Sequence, residues 1–331
     1  MIDPFNFYEY SMLIYQLTLD VPESRLLVHL LETAQQESVD IVLWARSAFS
    51  EDTAGHLMEE GYYGRVLLLW GTWGKDCGRD ILHLGNGRTD HLWLPEREAE
   101  NVATPSFILD WTTDLDKLPM EFGQNTGIMG LNVWPNDHSA KNTMGFFPWS
   151  RTKTHELLRG RLELWDYWTP KKPVVAIGTN LWSVKKEASK RMGLPSRIIR
   201  TQVLVPEPLS FQYLGNDKRL IKEALVEGRV SVMFSPIGWE KGFRYWIEQG
   251  QQRYPMGSEM LWHPDQKLKA ISPVPSQWKI FCNGKVEYEG TGLVQEYPVR
   301  HPGTWRVEIY RGHHLKPWLV SNPVYVRSSE V

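Results

Sequence analysis

Few residues in this chain have the types and spacing that chemistry demands. Asp90-His91, Asp137-His138 and His263-Pro264-Asp265 each set an imidazole beside a carboxylate, the donor pair that holds a divalent cation or moves a proton. None has a further donor at ligand spacing, and each lies in a polar, turn-like segment, so solvated loop residues are the expectation. His313-His314, between Gly312 and Leu315, reads as a hairpin tip. Cys77, in Gly74-Lys-Asp-Cys-Gly-Arg79, has basic neighbours that would lower a thiol pKa. Neither it nor Cys282 sits in a catalytic signature. No Gly-x-Ser-x-Gly elbow is present. Gly71, Gly74 and Gly78 do not lead into the Gly-Lys-Ser/Thr that opens a phosphate-cradling helix.

The frame that must position any site is a chain of 331 residues, more than one core usually spans, so two domains are expected. Its 37 basic and 39 acidic side chains give a net charge of −2, which argues against a nucleic-acid binder driven by bulk charge. With 42% hydrophobic and 23% charged residues the chain is globular. No uncharged apolar stretch approaches the roughly 18 residues of a spanning helix. Two cysteines in different halves make neither a disulfide framework nor a zinc knuckle. The opening Met1–Tyr10 has no basic or apolar region of a secretory signal, so the cytoplasm is expected, or the periplasm if a leader has been removed.

Over the first two thirds, apolar runs alternate with amphipathic segments. Leu26, Leu27, Leu30, Leu31 and Ala34 recur at helical spacing, and Val39–Trp44 reads as a buried strand. A helix through Glu51–Glu60 is expected to end at Gly61. Arg65–Trp70, Ile128–Trp134, Arg161–Trp165 and Val174–Gly178 read as strands, and Lys218–Glu227 as a helix closed by Gly228 before the strand Arg229–Phe234. Such alternation means an α/β layer fold. From about Gly257 the pattern becomes alternating strands, Trp278–Cys282 and Trp305–Tyr310 among them, with turns at Asn283-Gly284 and Pro302-Gly303. That is a small antiparallel β-sandwich. The boundaries expected are a barrel over 1–236, an irregular aromatic-rich connector over 237–256, and the sandwich over 257–331.

The tail is the most specific text. Asn283-Gly-Lys-Val, Pro302-Gly-Thr-Trp-Arg-Val-Glu308 and Pro317-Trp-Leu-Val-Ser-Asn-Pro-Val-Tyr-Val326 resemble the C-terminal module of PHP-domain phosphoesterase-like proteins. Lys172–Trp182 looks like that family's strand ending in "GSDxH", and Leu220–Arg229 like the helix that follows. The resemblance implies a distorted (β/α)7 barrel, and a cluster of divalent ions held by His, Asp and Glu at the carboxyl ends of its strands. Such ions lower the pKa of bound water for attack on a phosphoester.

The ligand positions implied by the resemblance carry other residues. The opening "HxHT" falls on Tyr15-Gln-Leu-Thr18, "TDH" on Trp44-Ala-Arg46, the glutamate near Thr72 or Trp73, "GH" on Gly78-Arg79, "HP" on Trp134-Pro135 and "DxH" on Asn180-Leu-Trp182. Indole and methyl groups bind no hard cation, and a guanidinium repels one. The expectation is a catalytically inactive barrel, with no cofactor, whose old cavity is filled by Trp44, Trp73, Trp134 and Trp182. Arg46, Arg79 and Asn180 would be left at its mouth, where a small anion or flat ligand could be held.

With 16 tryptophans and 12% aromatic residues, the loop Phe146-Phe147-Pro-Trp149 and the group Trp239, Tyr245 and Trp246 are candidate partner surfaces. The function expected is a structural or binding subunit of a larger protein assembly. Its partners would be other protein subunits, with no nucleic acid, and peripheral contact with a membrane complex stays open. The alternatives are a divergent metal-dependent hydrolase with a relocated site and a small-anion sensor.

Overall fold

The computed structural model describes residues 6–19, 23–47, 59–76, 79–84, 105–109, 128–137, 148–184, 199–238, 240–312 and 317–328. Among the described residues sheet predominates. Strands β1 (Tyr8–Leu19), β2 (Ile41–Ser47), β3 (Gly61–Tyr63), β4 (Val66–Asp76), β5 (Arg79–Leu84), β6 (Ser106–Ile108), β7 (Ile128–Asp137) and β8 (Val175–Val184) make up the first part. Seven of them close a ring. β1 pairs with β2, β2 with β4, β6 with β7, β7 with β8 and β8 with β1, all parallel, while β5 lies antiparallel between β4 and β6. The six parallel strands therefore end on the same side. β3 is a short hairpin partner outside the ring, on β4.

Alternation along these strands fills the ring with aliphatic side chains. Met12, Ile14, Leu43, Leu67, Leu69, Leu82, Phe107 and Ile177 all belong to one buried cluster. The opposite faces of β1, β2 and β4 pack on helix α1 (Glu23–Gln36) through Leu27, Leu30, Leu31 and Ala34. β7 and β8 pack on helix α2 (Pro148–Trp168) through Leu158, Leu162, Trp165 and Trp168. Residues 161–165 are thus helical, not a strand. Leu158, Leu162 and Trp165 keep the period of a helix, and the apolar run read in isolation hides it.

After β9 (Ile199–Val205) comes helix α3 (Leu214–Val226), which ends where Gly228 takes φ +75° before β10 (Val230–Phe234). Leu220, Ile221, Ala224 and Leu225 join the interior cluster. Buried Lys218 bonds Glu60 at 2.5 Å, and Asp217 accepts a hydrogen bond from the Tyr62 hydroxyl. These partners sit beside the first residues of β4, so α3 lies at the amino-terminal end of the ring. Of the helix expected over Glu51–Glu60, residues 51–58 lie outside the described residues; Glu59 and Glu60 are not helical, and Gly61 opens β3 instead of capping a helix.

The second part holds β11 (Arg244–Gln249), β12 (Gln252–Pro255), β13 (Glu259–Leu261), β14 (Lys267–Cys282), β15 (Lys285–Pro298), β16 (Gly303–Tyr310), β17 (Leu319–Ser321) and β18 (Val324–Arg327). All its pairings are antiparallel except β13 with β18. β14 pairs with β11 through Lys267–Ile271 and with β16 through Gln277–Cys282; between them Pro273 and Pro275, which have no N–H to donate, interrupt the ladder. The segment expected as an irregular connector is in fact the hairpin β11–β12. Its Phe243, Tyr245 and Ile247 are core residues of the sandwich.

The two parts share one sheet. β9 pairs with β1 and with β10, and β10 pairs with β17. The tail then stitches the join. Asn322 accepts from the Ala176 amide at 2.7 Å and donates to the carbonyls of Ala176 (2.9 Å) and Val230 (2.7 Å). The Tyr325 hydroxyl accepts from the Val174 amide at 3.1 Å. At the β14–β15 turn, Asn283 and Gly284 both have positive φ, 50° and 76°, as a two-residue hairpin requires. A Cβ on Gly284 would stand 2.7 Å from that of Asp166, so glycine also lets the hairpin tip reach α2.

Candidate functional site

Strand register gathers the stretches singled out in the sequence. Tyr15 lies opposite Trp44 on one side and Asn180 on the other. Trp44 pairs with Trp70, Arg46 with Thr72 and Ser47 with Trp73. Asn136 pairs with Asn180, Leu17 with Trp182 and Asp76 with Arg79. They lie at the middle or in the carboxyl-terminal halves of parallel strands, or at the start of β5 beside the end of β4. In a parallel barrel that rim is where loops and strand ends build a site.

Two of the four tryptophans expected to plug the ring lie outside it. Trp44 is fully buried, but among Leu13, Tyr15, Leu30 and Trp70 on the face that carries α1. Trp134 is buried on the face that carries α2 and stacks on Phe234 with centroids 5.5 Å apart. The two corrections have different causes: for Trp44 it is the period-two alternation of a strand, which points adjacent residues to opposite sides, and for Trp134 a local break in that alternation. In β2, Leu43 and Ala45 take the inside, so Trp44 cannot. In β7 a register shift between Asn132 and Trp134 turns Val133 and Trp134 to the same outer cluster. Trp73, half-buried, does pack against the interior cluster. Trp182 and the two arginines, Arg46 and Arg79, have their backbone placed in β8, β2 and β5; their side chains lie outside the described residues.

Asn180 is fully buried and committed. Its Nδ2 donates to the Ile199 carbonyl at 2.8 Å and its Oδ1 accepts from the Ile199 amide at 3.0 Å. It holds β9 onto β8. Tyr15 is likewise buried; burial raises its hydroxyl pKa above the ordinary value even with Arg200 nearby. Burial also lowers the pKa of Arg200, against the pull of Glu37 at 3.3 Å.

At the positions where the resemblance implies metal ligands, the described side chains of Tyr15, Trp44, Thr72, Trp73, Trp134 and Asn180 are phenol, indole, hydroxyl and carboxamide, with no carboxylate or imidazole among them. They do not fit a hard divalent ion. Among the described residues no three His, Cys, Asp or Glu side chains are placed so that they could hold a metal ion. His263 and Asp265 face each other at 3.6 Å in an exposed turn. Cys282 is buried at the end of β14, and burial pushes its thiol up to about 12. Asp90, His91, His138, His313, His314 and Cys77 lie outside the described residues.

The candidate partner surface changes too. Tyr245 and Trp246 are 2% and 6% exposed, so neither is available to a partner. β11 pairs with both β12 and β14 and its consecutive residues Tyr245, Trp246 and Ile247 are all buried, whereas the aromatic run read alone suggests a loop. Phe146, Phe147 and Trp239 lie outside the described residues, as does the side chain of Trp149 on α2.

Two constellations had escaped the sequence reading. On the outer face of β5 and β6, His83 Nδ1 lies 2.7 Å from Ser106 Oγ. Between α2 and the sandwich, Arg306 makes a two-pronged bond to Asp166, at 2.6 and 2.7 Å, and a further bond to Glu308 at 2.5 Å. Tyr310 donates to the other oxygen of Glu308 at 2.5 Å. Burial alone would depress the Arg306 pKa, but the Asp166 and Glu308 carboxylates outweigh it and hold it above the ordinary value. Burial and Glu308 push the Tyr310 hydroxyl up. The signal was present in Trp305-Arg-Val-Glu-Ile-Tyr310, where strand alternation sets Arg306, Glu308 and Tyr310 on one face.

Among the described residues no helix is long and apolar enough to cross a membrane. No family model and no curated protein matches the chain. Its fold is similar to a solved two-domain protein containing a predicted PHP-like metal-dependent phosphoesterase, from Bacteroides vulgatus ATCC 8482. Identity is 12%, the alignment covers 98% of this chain and 97% of that one, and the TM-score is 0.43. At that score the likeness lends no weight to any activity.

Proposed function

We propose that the chain is a catalytically inactive PHP-like protein, a degenerate (β/α)7-type barrel with an appended sandwich, serving as a structural or binding subunit of a larger protein assembly. The observation that supports this reading is the chemistry of the rim. The stretches that resemble metal-binding motifs converge at one end of the ring, and their described side chains, Tyr15, Trp44 and Asn180, are spent on packing and on holding strands together. Buried aromatic volume and a saturated carboxamide hold a fold; they offer no lone pairs and charge to an ion that must activate water. The barrel would take in residues 1–236, and the sandwich would include the 237–256 segment. Native mass spectrometry of protein isolated under gentle conditions tests the subunit role. A heteromeric complex is expected, and a bare monomer overturns it.

The second reading is a hydrolase with a relocated site, and the His83–Ser106 contact favours it, since a base within 2.7 Å of a hydroxyl is the geometry of an activated nucleophile. A fluorophosphonate probe decides. Covalent labelling of Ser106, lost in His83→Ala, would replace the first reading with this one.

A further inference from the structure

Three titratable side chains stand in a row near the β14–β15 turn. Cys282 closes β14, Glu287 lies just past the Asn283-Gly284 turn on β15, and His301 precedes β16. Cys282 Sγ is 3.8 Å from His301 Nδ1, and His301 Nε2 is 3.5 Å from Glu287 Oε1. The ladder fixes the sulfur, with Cys282 opposite Lys285 on one side and Trp305 on the other. The imidazole packs on the Trp305 ring, with centroids 5.3 Å apart.

The order of the row assigns the protons. A carboxylate beside Nε2 keeps a proton on that nitrogen, which leaves the Nδ1 lone pair toward the sulfur. The Pro302 carbonyl oxygen, 3.1 Å from Nδ1, brings another lone pair beside it. Metal bonds of about 2.3 Å to sulfur and about 2.0 Å to imidazole nitrogen fit between atoms 3.8 Å apart, with the ion just off the line joining them. A thiolate with an imidazole is a soft donor pair, which selects monovalent copper over hard divalent ions. Cys282 is buried, while His301 is 45% exposed and gives an ion its approach.

We propose that Cys282 and His301 bind one soft monovalent cation of the copper(I) class, with Glu287 as the positioning residue behind the imidazole. Metal–sulfur and metal–nitrogen bonds form, the thiol S–H bond breaks and its proton goes to solvent, and the ion keeps its oxidation state. The site lies in the sandwich and stands whether or not the barrel rim is inert.

Anaerobic competition of the reduced full chain with a chromophoric copper(I) chelator tests it. One copper(I) per chain is expected to leave the chelator, with one proton released. His301→Ala and Glu287→Gln should each weaken binding about tenfold or more. Cys282→Ala should abolish it, and Cys77→Ala should leave it unchanged. His301 is half exposed, so His301→Ala keeps the test valid if Cys282→Ala fails to fold. X-ray absorption at the copper edge should show both sulfur and nitrogen neighbours, a signature that a purely structural His301 would not give. No copper drawn from the chelator, loss of the site in Cys77→Ala, or full affinity in a folded His301→Ala protein overturns the proposal. Full affinity in Glu287→Gln overturns the positioning role of Glu287.

Discussion

The tail and the rim of the barrel invite comparison, because in each a buried asparagine spends its carboxamide on the backbone of a neighbouring strand. In the tail, Asn322 and Tyr325 spend their polar atoms on the backbone of β8 and β10. At the rim, Asn180 spends both ends of its carboxamide on Ile199 of β9. The tail residues stitch sandwich to barrel, and the rim residue stitches two strands of the shared sheet. A buried carboxamide in either place is evidence of how strands are joined, and activity has to be read from the donors at a site. Among the described rim residues, Asn180 is one such joint.

The largest test of this comparison lies in the join between α2 and the sandwich. Arg306→Met would strand Asp166 and Glu308 as buried, unpaired carboxylates, at a cost of about 3–5 kcal/mol in urea unfolding. A cost below 1 kcal/mol would mean the two parts are not held by this contact.

Next come the two asparagines. Asn322→Ala takes the carboxamide from the Ala176 amide and carbonyl, while the Val230 carbonyl keeps the Asn322 amide, and Asn180→Ala takes it from the Ile199 amide and carbonyl; each should cost about 2 kcal/mol. If Asn180→Ala leaves stability unchanged, the rim carboxamide is not structural and the parallel between rim and tail breaks.

A pH-dependent effect sharpens the picture of the sandwich core. The Cys282 thiol is raised to about 12 from an ordinary 9.0. Below pH 9 the thiol is protonated in both folded and unfolded chains and its contribution is constant. Between pH 9 and about 12 the unfolded thiol ionises while the folded one does not, so stability falls by up to about 1.4 kcal/mol per pH unit. Cys282→Ala should flatten that part of the decline, and Cys282 should react with a disulfide reagent at pH 8 only after unfolding.

Much of the fold was legible from residue patterns. α1, α3, β2, β7, β8 and β10 follow from apolar periods and from the Gly228 stop, and the β14–β15 turn from Asn283-Gly284. β11–β12 was not, because aromatic residues separated by glycines read as linker until β14 supplies the pairing that buries them. β9, buried on every residue, was also missed: it shows no alternation, since β1 and β10 flank it and both its faces are covered. The convergence of the rim stretches was legible, whereas side-chain direction was not. It depends on strand parity, and a single register shift in β7 reverses it for Trp134.

Elemental analysis of protein purified without chelator, paired with turnover of a phosphodiester, tests the account where it is most exposed. Zinc, manganese and iron each well below one ion per chain, with no hydrolysis above buffer, is the predicted result. One or more ions per chain together with phosphodiester cleavage would contradict it.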